Sequence, residues 1–134
     1  MKHHPSDKKF VFDENIDKEF IFSLYEDDYP YITEVFYNCL ESVDEGIPVL
    51  HNAYKAGDVS LVKNAAHKLK PVFGFTGLLN HQDTIGIFEN VCMNVSTMEV
   101  VKNEFEELMS QIVRGRNIME KEGRRLKQFT GARA

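Results

Sequence analysis

Ala66-His67-Lys68-Leu69-Lys70-Pro71-Val72-Phe73-Gly74-Phe75-Thr76-Gly77 is the stretch from which the rest of the chain is read. Val59, Val62, Ala66, Leu69 and Phe73 recur at spacings of three, four, three and four, the pattern of a helix with one buried stripe. At 100° per residue, His67, Lys63, Lys70 and Gly74 gather on another face, roughly 90° round from that stripe. His67 is therefore expected at the boundary between core and water. One side of its ring can meet a neighbouring helix while the other meets a partner. The surrounding residue types suit phosphate chemistry. Imidazole has an unperturbed pKa of ~6.5, so a neutral nucleophilic nitrogen is available at physiological pH. Lys70 lies one helical turn away, where a cation can offset the charge of a phosphoryl group. Gly74 costs the helix about 0.5–1 kcal/mol relative to alanine, and it reads as leaving an approaching surface unobstructed.

The combination of Ala66, His67, Leu69 and Lys70, followed by glycines seven and ten residues after the histidine, resembles the histidine-containing phosphotransfer (HPt) domains of two-component phosphorelays. In helix pattern the resemblance extends over roughly residues 16–120; its sharp part is the dozen residues quoted. One position departs from it. The family usually has glycine four residues after the histidine, and this chain has Pro71. Proline has no N–H for the carbonyl of His67 and crowds it, so a kink is expected beside the site. The resemblance implies that His67 is a phospho-acceptor with Lys70 as phosphate neighbour. Lys63, Lys68, Pro71 and Gly74 would lie on the docking face. It also implies receiver domains of response regulators and hybrid histidine kinases as partners. The magnesium ion would come from the receiver, with no cofactor belonging to this chain. Glu89 stands 22 residues after His67. The phosphotransfer domain of the chemotaxis kinase is similar in having a glutamate at this spacing, which would make Glu89 the acceptor of the His67 Nδ1–H.

Composition sets the outer bounds. With 134 residues, 43% hydrophobic and 28% charged, the chain suits one soluble domain around one core. A net charge of −5 and a pI of about 5.5 argue against nucleic acid as a main partner. No apolar run approaches the ~20 residues of a membrane helix, and the polar N-terminus lacks a signal-peptide core. Cys39 and Cys92 lie in helical segments without metal or redox spacing and read as buried thiols in a reducing compartment. The expectation is a cytoplasmic monomer.

Charge is unevenly distributed. Residues 13–45 hold eleven acidic residues against Lys18 alone, whereas Lys55, Lys63, Lys68 and Lys70 surround the histidine with Asp58 as the only nearby acid. Such a positive skirt would steer an acidic receiver pocket.

Residues 1–12 read as a loose arm, 13–129 as a helical bundle and 130–134 as a basic tail. Within the bundle, residues 15–25 carry Ile16, Phe20 and Leu24 on one face of a short helix. Asp28 can cap the next element. In residues 29–56, Phe36, Leu40, Val43, Ile47, Leu50 and Tyr54 keep one phase through Pro48, which favours one long, kinked helix over two. Asp58 can cap the helix that carries His67. Residues 81–94 form a fourth helix with Ile85, Phe88 and Cys92 inward. Ser96 and Glu99 read as a capping box opening a last helix over 97–126, with Met98, Val101, Phe105, Leu108, Ile112 and Met119 as its core face. The fold expected is all-α: an antiparallel four-helix bundle with a short N-terminal covering helix.

The function expected is a phosphorelay intermediate, a covalent carrier with no nucleotide-binding loop and no kinase activity of its own. Two alternatives compete with it. One is a non-catalytic interaction bundle with a degenerate histidine. The other is a metal-binding bundle using His67, His81 and Glu89, although the paired Glu-x-x-His motifs of bundle metal sites are missing.

Overall fold

A computed structural model describes residues 9–131. Five α-helices account for most of them: α1 (Lys18–Tyr25), α2 (Tyr29–Lys55), α3 (Val59–Phe75), α4 (Leu79–Met93) and α5 (Lys102–Thr130). A 3-10 turn, Glu99–Val101, precedes α5. Helix α2 packs against α3 and α5, and α4 closes the ring by packing against α3 and α5. The result is an antiparallel four-helix bundle, α2 to α5, with α1 lying over one end.

Three aspartates start three of the helices. Asp17, Asp28 and Asp58 each accept a backbone N–H three residues on, from Phe20, Tyr31 and Leu61 at 2.9, 3.1 and 3.0 Å. Each satisfies one of the donors that a helix start leaves unpaired. Helix α2 runs unbroken through Pro48, and α3 runs unbroken through Pro71. The α3 stripe lies where the spacing puts it: Val62, Ala66, Leu69 and Phe73 are buried and Val59 is half-buried. After α3 the backbone turns at Gly77, whose φ of +73° suits glycine. A side chain there would also meet Ile16 and Ile21 of the N-terminal region.

Several expectations are corrected. The arm over 1–12 is not loose where the structure describes it; residues 1–8 lie outside the described residues. Phe10 and Phe12 are buried in the core. Phe12 stacks on Phe36 of α2, and Phe10 meets Phe129 of α5 edge-on. The guanidinium of Arg125 sits 4.6 Å above the Phe10 ring and donates to the Val11 carbonyl at 2.9 Å. Arg125 also pairs with the fully buried Glu122, which accepts the Asp13 N–H at 2.9 Å. A buried charge is tolerated where it is paired and hydrogen-bonded, and Glu122 is both.

Helix α1 buries Ile21, while Leu24 faces solvent, so its inward face is not the Ile16–Phe20–Leu24 stripe. The stripe gave way because Asp17, the cap, starts the helix at residue 18 and leaves Ile16 in the preceding turn. The capping box does not form either. Residues 99–101 wind as a 3-10 turn, and α5 begins at Lys102 with no side-chain cap. The core face expected for this last segment is nonetheless buried from Met98 to Met119, and the helix continues to Thr130, closed by Gly131 at a φ of +70°. Of the basic tail, residues 132–134 lie outside the described residues.

Candidate functional site

His67 stands on the flank of α3 that faces α4, just outside the buried stripe. Its neighbour Ala66 is fully buried, whereas the His67 side chain is 66% exposed. Glu89 rises from the facing side of α4 with its side chain 14% exposed. The His67 Nδ1 to Glu89 Oε2 distance is 2.6 Å. Lys70, one turn along α3, places Nζ 2.8 Å from the other carboxylate oxygen, Oε1. Glu89 therefore holds both residues at once.

Burial of Glu89 opposes its ionisation, but its contacts with Lys70 and His67 outweigh that and hold the carboxyl below its ordinary pKa of 4.5. An ionised carboxylate can only accept hydrogen bonds. The proton between the two groups thus resides on Nδ1, and in the neutral ring Nε2 carries the lone pair. Glu89 thus engages Nδ1 of an otherwise largely exposed ring and leaves Nε2 unengaged among the described residues.

A groove of about 890 Å³ opens around this triad between α3 and α4. Lys63, Lys70 and His67 line it from α3, and Gly86, Ile87 and Met93 from α4. Gly86 leaves the groove floor open beside the Lys70 stem: a Cβ there would meet only Lys70 Cδ and Nζ, at 3.8 and 3.9 Å.

The residues expected on the docking face divide. Lys63 lines the groove, while Lys68 and Pro71 are exposed on α3 outside it. Gly74 is buried, which corrects the reading of it as clearance for a partner. A Cβ on Gly74 would lie 2.5 Å from Nε2 of Gln82, so the glycine admits a side chain of α4 rather than another molecule. His81, one of the three residues of the metal-bundle alternative, does not join His67 and Glu89. It is buried on the inner side of α4, stacked on Phe73 at a centroid distance of 5.8 Å. Among the described residues no three His, Cys, Asp or Glu side chains gather as metal ligands. Both cysteines are buried and unpaired, and burial pushes the Cys39 thiol up to about 11, away from thiolate reactivity.

Ile87, Met93 and Gln82 were not anticipated from the sequence. Ile87 and Met93 lie off the inward stripe of α4, where nothing in a periodic pattern marks an apolar residue as useful. Gln82 could be placed only once the α3–α4 packing was known.

No protein-family model matches the sequence, and no curated protein does. Among solved structures, the chain is similar to the HPt domain of an Hpt sensor hybrid histidine kinase from Shewanella. The TM-score is 0.68 at 15% identity, over 80% of this chain and 92% of that one. At that identity the likeness is one of fold: the chain has the helical-bundle fold of an HPt domain.

Proposed function

We propose that this chain is a phosphorelay intermediate. It accepts a phosphoryl group on His67 from a receiver-domain aspartate and passes it to a response-regulator aspartate. The observation that carries this reading is the geometry of His67: an exposed imidazole on an HPt-like bundle, its Nδ1 anchored 2.6 Å from a carboxylate.

In the transfer, Nε2 attacks phosphorus as the bond between phosphorus and the aspartyl oxygen breaks, and the receiver's carboxylate leaves. The ring gains positive charge as the Nε2–P bond forms. Glu89 balances that charge and is the acceptor for the Nδ1 proton. Such reactions need alignment and charge neutralisation more than new covalent machinery. Lys70, one helical turn from His67, is the cation that would neutralise the incoming phosphoryl group on release from Glu89. Magnesium and the remaining catalytic groups belong to the receiver. The chain is then a covalent carrier and not a kinase. Among the described residues, no helix is long and apolar enough to cross a membrane.

The test is label transfer from a panel of phosphorylated receiver domains to wild type and to His67→Gln. The expected result is acid-labile, alkali-stable label on wild type and none on the variant. Equal labelling of both would move the chemistry off His67, and no labelling from any receiver would refute the relay role.

A further inference from the structure

Helix α4 carries two large apolar side chains that the fold does not use. Ile87 is 65% exposed and Met93 is 68% exposed. Isolated surface apolar residues are ordinary, but these two line the same groove as His67. Ile87 also lines a second, smaller groove of about 330 Å³ on the far side of α4, where Phe88, Val91 and Leu108 form an apolar wall. The exposed face of α4 thus carries Ile87 and Met93 among the polar Asp83 and Asn90, with Ile87 between the two grooves and the phospho-acceptor candidate in the larger one.

We infer that Ile87 and Met93 are the apolar anchors on which a receiver domain docks to deliver phosphate to His67. This rests on the relay reading above and adds to it the surface that selects the partner. The argument is one of footprint. Glu89 engages Nδ1, so a phosphorylated carboxyl must reach Nε2, the nitrogen left unengaged. A specific interface covers ~800 Å² per partner, a disc of about 16 Å radius. A disc of that size centred on Nε2 is wide enough to extend over the groove that Ile87 and Met93 line together with His67. Gly86 apart, the other groove residues are polar or charged, and interfaces draw their energy from a few apolar side chains at the centre. Charge agrees with this occupant. A partner carrying a phosphorylated carboxyl is anionic at its active face, and Lys63 and Lys70 in the groove, with the exposed Lys68 beside it on α3, outnumber Asp83 and Glu89 of the same lining. The receiver should accordingly present an apolar patch beside its acidic pocket.

The experiment compares two phosphate donors on wild type, Ile87→Glu, Met93→Glu and Val113→Glu. Val113 is an exposed residue of α5 that lines neither groove. One donor is a phosphorylated receiver, with its aspartyl phosphate. The other is phosphoramidate, whose P–N bond breaks with loss of ammonia as His67 is phosphorylated and which needs no docking. For Ile87→Glu and Met93→Glu, the ratio of receiver-driven to phosphoramidate-driven labelling should fall about tenfold or more relative to wild type. For Val113→Glu it should match wild type. Wild-type ratios in both α4 variants would overturn the docking assignment while leaving the relay intact. If the α4 variants instead dissolve a dimer of this chain with no change in the ratio, this face holds a second copy and the inference fails. Phosphoramidate labelling of wild type without transfer from any receiver would refute the relay reading, and this inference with it.

Discussion

Two histidines, fourteen residues apart on adjacent helices, meet opposite fates. His67 looks outward from α3, two-thirds exposed, with a carboxylate on Nδ1. His81 lies on the inner side of α4, buried and stacked on Phe73, and neither ring nitrogen has a hydrogen-bond partner among the described residues. Residue type alone does not make a site. Access together with an orienting partner makes His67 a nucleophile candidate, while their loss turns His81 into a flat core side chain. Desolvation, reinforced by the positive charge of Arg114, lowers the pKa of His81 below 6.5 and keeps the ring neutral, as an unpartnered buried ring must be.

The largest effect that separates the two regions is mechanical. Gly115 of α5 backs the chamber that holds His81. A Cβ there would lie 2.5 Å from Phe73 Cε1 and 2.9 Å from His81 Cδ2. Overpacking a filled core costs about 1–3 kcal/mol, against a gain of about 0.5–1 kcal/mol for alanine over glycine in a helix. Gly115→Ala should therefore destabilise the chain by about 1–2 kcal/mol in urea titration. Labelling of His67 in the folded fraction should stay within twofold of wild type. Loss of labelling without loss of stability would show that the two regions are not separate.

A smaller effect belongs to the exposed site. Glu89→Gln keeps the shape but removes the charge that holds Nδ1–H and Lys70. Transfer to His67 should slow about tenfold, equivalent to ~1.4 kcal/mol. Stability should change by less than about 1 kcal/mol, the usual worth of such surface pairs. Single-turnover transfer and urea midpoints read the two quantities. A stability loss larger than the loss of transfer would make Glu89 a structural residue.

The smallest effect is a pH signature. Unfolded, His81 takes up its proton near the ordinary 6.5; folded, it does so only at lower pH. Between those two values the unfolded chain binds more protons. The contribution is whole above the unfolded value and declines as pH falls through the window. Glu89, held below 4.5, contributes stability that is present above that value and lost as pH falls through its lower folded pKa. Stability should thus begin to decline just below pH 6.5, and His81→Phe should flatten that first limb and leave the one below 4.5. An unaltered first limb would assign it elsewhere.

Much of this architecture was legible in the sequence because apolar spacing is a local signal. The stripes of α2, α3 and α5 and the caps Asp28 and Asp58 were each written within a few residues of where they act. The N-terminal segment was not, because what orders Phe10 and Asp13 is Arg125, Glu122 and Phe129, more than a hundred residues away. Gly74 was misread for the same reason: Gln82, which fills the space above it, sits on another helix. His81 stands one turn before Ile85 in the spacing of the α4 stripe, but histidine carries no apolar signal and was not counted in it, and Gly115, its complement, lies on α5. The capping box at Ser96 was a correct local pattern overridden by a 3-10 turn. At the site, spacing put His67, Lys63 and Lys70 on one face. The 22-residue interval to Glu89 gained meaning only through resemblance, and the engagement of Lys70 by the same carboxylate was not anticipated.

The central claim is that Glu89 fixes Nδ1 and leaves Nε2 of His67 as the nucleophile. ³¹P–¹⁵N correlation spectroscopy of the phosphorylated chain, with ¹⁵N in its histidine rings, tests it directly. The account predicts a single phosphorus coupled to Nε2 of His67. Phosphorus on Nδ1 of His67, or on any other histidine, would contradict it.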